Sequence, residues 1–125
     1  MKLLLDTHTA LWWLGGDARL SRPAAKLLET DGDVELLVSA VVAWEIGVKR
    51  SMGRLDVTGD VVGLLLEGGA RPLPITLAHA AAVEHLPWHH RDPFDRMLVA
   101  QAQLEGAVLV SGDPALRRYG VPVVW

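Results

Sequence analysis

The chain has 125 residues, enough for one domain around one core, and its composition of 50% hydrophobic and 22% charged residues excludes a disordered polymer. A net charge of −3 excludes a protein that holds nucleic acid by bulk positive charge alone. With no cysteine, disulfides, thiolate catalysis and cysteine-ligated zinc are ruled out, so any metal must be held by carboxylates, histidines or backbone oxygens.

The first apolar run, Leu3–Leu5, reads as a buried strand that ends on Asp6, followed by a helix starting near Thr9. This opening is too short in apolar residues for a signal peptide, and the longest non-polar run, Val38 to Trp44, falls well short of a bilayer span. A cytoplasmic protein without membrane association is therefore expected. Ser21 is placed to cap a helix with Pro23 in its first turn and Ala24, Ala25, Leu27 and Leu28 after it. Glu35–Val38 is the second expected strand; Ser39 then caps a helix over Val42–Met52, which Gly53 ends. A short helix is expected over Thr58–Leu66 before Gly68 and Gly69, with Thr58 and Thr76 as candidate caps. Pro72–Ile75 is the third strand, and Ala78–Leu86 an alanine-rich helix ending at Pro87. Pro93 opens the helix Phe94–Glu105, whose inward stripe should be Leu98, Val99 and Ala102, and Gly106 follows it. Ala107–Val110 and Val121–Val124 complete the strands, with no more than a turn or two over Pro114–Tyr119. Short, continuous apolar strands separated by helices are the pattern of a parallel sheet covered on both faces. The expected fold is α/β: a single-domain, three-layer α/β/α arrangement over residues 1–125, with a central parallel sheet of about five short strands.

Against this layout the acids fall at converging ends. Asp6 and Asp113 follow two expected strands, Asp95 opens a helix, and Glu45 lies on a helix among Val41, Val42, Trp44, Ile46 and Val48. Each has an ordinary structural explanation by itself. Asp6 suits a helix cap, Asp95 a first helical turn, Asp113 a turn before Pro114, and Glu45 a solvent-facing position. Those explanations do not account for all four sitting where open parallel sheets keep their ligand crevice. Clustered carboxylates repel unless a cation neutralises them, and an all-oxygen set without cysteine suits Mg²⁺ or Mn²⁺. Such an ion activates water and offsets charge on a phosphoryl oxygen. Thr7 and Ser111 are hydroxyls beside the cluster with a supporting role. Asp92 is assigned to the N-cap before Pro93 rather than to the metal. His90 reads most simply as a loop-surface histidine, with contact to phosphate or to the acid cluster as the other reading.

Four blocks resemble the PIN-domain family, and within it the VapC-like toxins of prokaryotic type II toxin–antitoxin systems. They are Leu4-Leu5-Asp6-Thr7-His8-Thr9, the helix Ser39 to Lys49 with Glu45, the run His90 to Ala102 with Asp95, and Leu109-Val110-Ser111-Gly112-Asp113. Their order spans nearly the whole chain. The resemblance implies a magnesium- or manganese-dependent endoribonuclease acting on RNA, with Asp6, Glu45, Asp95 and Asp113 as both metal ligands and catalytic acids. It also implies a homodimer inhibited by a cognate antitoxin protein. Hydrolysis of an RNA phosphodiester with the 3′-oxygen leaving is the expected reaction, with Arg91, Arg96, Lys49 and Arg50 as the candidate RNA-binding residues.

Two other folds with acids at strand ends fit less well. A response-regulator receiver needs a late lysine, whereas the last here is Lys49, and a haloacid-dehalogenase-like phosphatase needs an aspartate where His8 stands. The remaining alternative is a catalytically silent PIN-like module that binds nucleic acid or protein. Trp12 and Trp13 are adjacent on one helix and must point differently, one to the core and the other to an antitoxin or dimer partner.

Overall fold

A computed structural model describes residues 1–29 and 32–125. Strand β1 (Lys2–Leu5) leads into helix α1 (Thr7–Leu14) and α2 (Arg22–Leu28). Strand β2 (Glu35–Ser39) is followed by α3 (Ala40–Ser51) and α4 (Val61–Glu67), then β3 (Arg71–Leu73) and α5 (Leu77–Ala82). A 3₁₀ turn at Val83–His85 precedes α6 (Pro93–Glu105), and β4 (Val108–Val110), a second 3₁₀ turn at Pro114–Tyr119 and β5 (Val123–Val124) close the chain. All the strand pairs are parallel, in the order β3-β2-β1-β4-β5.

The centre of the sheet explains the apolar run at the start of the sequence. Leu3, Leu4 and Leu5 are each 0% exposed because β1 has strands on both sides and helices on both faces. Leu4 joins Leu37, Leu98, Val99, Ala102 and Leu109 on one face; Leu3 and Leu5 join Ala10, Ala24, Val42, Ile46 and Leu65 on the other. Helix α3 serves both cores, with Val41 on one and Val42 and Ile46 on the other. The three-layer α/β/α expectation is met, as is the inward stripe of α6.

Several boundaries move for identifiable reasons. Asp6 caps α1 by accepting the Thr9 amide at 2.9 Å, which starts the helix at Thr7. Asp60, not Thr58, caps α4 through the Gly63 amide at 3.0 Å, while Thr76 caps α5 as expected. The third strand shrinks to Arg71–Leu73: it is an edge strand flanked by Pro74, and prolines cannot donate to a ladder. The helix expected over Ala78–Leu86 tightens to 3₁₀ geometry in its last turn.

The strand order places a topological switch at β1 and β4, since the chain moves outward to β2 and β3 on one side and to β5 on the other. Such a switch opens a crevice at the carboxyl ends of the two central strands. Asp6 follows β1 there, and Ser111, Gly112 and Asp113 follow β4.

Candidate metal centre

Asp6, Asp95 and Asp113 line the crevice, whereas Glu45 and Asp92 are not among its lining residues. Asp6, 6% exposed, accepts the Thr9 amide on Oδ1 and the Ser111 hydroxyl on Oδ2 at 2.5 Å. Asp113 caps the turn after β4 by accepting the Ala115 amide on Oδ1, while its own amide donates to Ser111 Oγ. Asp92 is the N-cap of α6, accepting the amides of Phe94 at 2.8 Å and Asp95 at 3.0 Å. That cap starts the helix one residue before Phe94 and sets Asp95 in its first turn. Ser111 thus ties Asp6 to the Asp113 backbone across β1 and β4.

His90 joins these acids. Its Nδ1 accepts the Asp92 amide at 3.0 Å, which leaves the ring proton on Nε2. From there it donates to Asp113 Oδ2 at 2.7 Å and faces Asp95 Oδ2 at 3.2 Å. One donor atom from each of His90, Asp95 and Asp113 lies within 4.8 Å of the others. The loop-surface reading of His90 is therefore corrected: the ring stands between two carboxylates. The Tyr119 hydroxyl, which accepts the His90 amide at 2.9 Å, fixes the loop that carries it.

Asp95 records the electrostatic cost of this gathering. Burial, then the negative charges of Asp92 and Asp6, push its carboxyl from 3.8 up to about 7; Glu45 adds to the rise and His90 opposes it. A hard divalent cation among these oxygens would remove that penalty, and the donor set fits one. Glu45 stands apart in one respect. It is 5% exposed, with Oε1 accepting the Thr7 hydroxyl at 2.5 Å and Oε2 paired to Lys49 one helical turn on.

The crevice is a cleft of about 580 Å³. Asp6, His90, Asp95, Gly112 and Asp113 form one part of its lining, and His8, Trp12, Arg19 and Trp125 the other. The second group was absent from the expected site. His8 and Trp12 carry a readable signal, because residues four apart share a helix face and Asp6 begins that helix. Arg19 and Trp125 carry none, since only the folded chain brings them there. Trp13 packs against the core instead, so the two adjacent tryptophans do part company.

The candidate RNA-binding residues separate sharply. Arg96 is corrected: it is 3% exposed and donates to the carbonyls of Val83, Leu86, Pro87 and His90 and to the Tyr119 hydroxyl. Trp88 covers its guanidinium at 3.8 Å, leaving no face for phosphate. Arg50 clamps the loop after α3 through Val57 and Gly59 carbonyls, both at 2.8 Å, and Lys49 is engaged by Glu45. Arg91 is exposed at the mouth of the loop before α6.

A family model described as PIN domain matches residues 3–122. Ribonuclease VapC22 of Mycobacterium tuberculosis (strain ATCC 25618 / H37Rv) is 33% identical over 129 residues, covering 98% of both chains. Among solved structures, VapBC2 from Rickettsia felis bound to a promoter DNA fragment matches with a TM-score of 0.72 at 13% identity, over 99% of this chain and 98% of that one. FitAcB from Neisseria gonorrhoeae matches with a TM-score of 0.66 at 19% identity, over 98% and 96% of the two chains. At such identities the structural likeness is one of fold. No helix among the described residues is long and apolar enough to cross a membrane.

Proposed function

Because this chain belongs to the PIN-domain family, among its VapC-like toxins, we propose that it is a Mg²⁺- or Mn²⁺-dependent endoribonuclease, a single nuclease domain acting as the toxin of a toxin–antitoxin pair. The observation that carries the reading is the meeting of His90, Asp95 and Asp113, with Asp6 on the same cleft, at the switch point of the sheet.

Asp6, Asp95 and Asp113 would hold the ion, and Glu45 completes the acid set, close enough to raise Asp95 electrostatically. A bound divalent ion supplies Lewis-acid chemistry, making water a better nucleophile and offsetting negative charge on a phosphoryl oxygen. The rest is done by side chains of the chain itself. Ser111 and Thr7 fix the orientation of Asp6 and Glu45 by donating to one oxygen of each, which preorganises the acids before substrate arrives. Lys49 balances the buried charge of Glu45. His90 bridges the two acids, donating from Nε2 to Asp113 while facing Asp95. Arg91, exposed in the loop before α6, is proposed to meet substrate phosphate.

The partner reading follows from the relatives. The Rickettsia felis and Haemophilus influenzae structures are VapBC assemblies, and another match is a toxin–antitoxin complex from Klebsiella pneumoniae. A cognate antitoxin is accordingly proposed here, with a homodimer of this chain acting in the cytoplasm. Cleavage of total cellular RNA with Mg²⁺, Mn²⁺ or EDTA tests the function. Wild type should cut only with metal, and Asp95→Asn should not cut; equal cleavage by both, or metal binding without any cleavage, would overturn the ribonuclease reading in favour of a silent binding module.

A further inference from the structure

We infer that the aromatic wall of the cleft is a stacking subsite for an RNA base next to the bond that is cut, a reading that rests on the ribonuclease function proposed above. The wall is assembled from distant parts of the chain. His8 and Trp12 stand one turn apart on α1 with ring centroids 5.6 Å apart, and Trp125, just after β5, meets Trp12 at 5.7 Å. Arg19 lies over the Trp12 ring at 5.1 Å from its centroid. Asp17 accepts from the Arg19 guanidinium at 2.8 and 3.1 Å, which holds that cation at the indole.

Two observations tie the wall to the reacting centre. It lines the same cleft as Asp6, Asp95 and Asp113. Trp125 is also seated directly on Gly112, the neighbour of Asp113, so closely that a Cβ there would lie 2.7 Å from the indole. The carboxylates with their cation address a phosphate, but they offer nothing to a π face. In a single nucleic-acid strand, the group adjoining a phosphate that does carry a π face is the base. Aromatic rings with an arginine alongside are how proteins hold unpaired bases, through stacking and cation–π attraction that tolerate any base identity. A cationic peptide would be drawn to the acids instead, with no need of three rings beside them. The subsite therefore selects single-stranded or splayed-out nucleotides at the cut.

The test is fluorescence anisotropy with Mg²⁺ on the full chain carrying Asp95→Asn, so that RNA is bound without being cut. The probes are a short single-stranded oligoribonucleotide and the same backbone with abasic sites. The base-bearing strand should bind roughly 5- to 150-fold more tightly, the worth of one base-on-aromatic stack. Adding Trp12→Ala should remove most of that ratio, Trp12→Phe should keep it, and abasic binding should stay the same throughout. A ratio near one with Trp12 intact, or a ratio unchanged by Trp12→Ala, overturns the subsite. If Trp12→Ala fails to fold by circular dichroism, the exposed substitution Arg19→Ala must lower the ratio, and base-bearing but not abasic RNA must quench tryptophan fluorescence of the Trp12-intact protein; failure of both overturns it equally. An arginine-rich peptide whose affinity depends on Trp12 while the base ratio does not would assign the wall to a protein partner and overturn the proposal. Cleavage by the Asp95-intact protein separates the two levels. Absence of metal-dependent cleavage sinks the ribonuclease reading, whereas cleavage with a base ratio near one sinks the subsite alone.

Discussion

Replacing Asp95 by asparagine should stabilise the metal-free protein at alkaline pH, by an amount that the site geometry sets. The folded state lifts this carboxyl from 3.8 to about 7 through burial and the charges of Asp92 and Asp6. Below 3.8 both folded and unfolded chains hold the proton and the group contributes nothing. Between the two values the folded chain binds more protons than the unfolded one, so stability falls as pH rises; above about 7 the full penalty is present. At 1.36 kcal/mol for each pH unit of separation, that penalty is about 4 kcal/mol. For a domain of this length, it corresponds to a melting temperature lower by roughly 15 °C. The asparagine amide carries no charge to desolvate. Thermal melts in EDTA should therefore show variant and wild type close together near pH 4 and diverging steadily to pH 8, the variant higher. Mg²⁺ at pH 8 should then shrink or reverse the gap, because wild type gains more from binding the ion. A difference between the two proteins that does not change with pH would refute the reasoning.

Other substitutions probe the framework. Arg96→Met should cost about 3 kcal/mol or more in chemical denaturation, since it strips a charged donor from four carbonyls and the Tyr119 hydroxyl; an unchanged midpoint would return Arg96 to the candidates for phosphate binding. Leu98→Ala, at a 0% exposed position on the α5–α6 side of the sheet, should cost about 2–5 kcal/mol by the same measurement. Gly112→Ala should displace the Trp125 indole, lowering stability by about 1–3 kcal/mol and changing the near-ultraviolet circular dichroism.

What was legible in the sequence followed from local chemistry. Asp6 and Asp113 could be placed because an apolar run ending in an acid is a strand end, and the parallel pattern then assigns both to one crevice. Asp92 could be separated from Asp95 because Pro93 marks the first helical position, and the structure gives Asp92 the cap. The misreadings share a different cause. Arg96 looked like a surface cation, but its acceptors come from the loop at residues 83–90 and from Tyr119, which no helical periodicity reveals. Thr7 reaches Glu45 across 38 residues, and the tautomer of His90 depends on an amide two residues away and a carboxylate 23 residues away. Side chains whose partners are set by tertiary closure carry little signal of their own.

In the proposed function, the acids around Asp6, Asp95 and Asp113 hold a divalent ion that RNA cleavage requires. Initial rates of RNA cleavage across a Mn²⁺ titration, for wild type and Asp6→Asn purified alike from EDTA, test it most directly. A wild-type rate that rises from zero to saturation with Mn²⁺, with little or no activity in Asp6→Asn, is the predicted result. Cleavage that persists in EDTA, or that Asp6→Asn retains at the wild-type level, would contradict it.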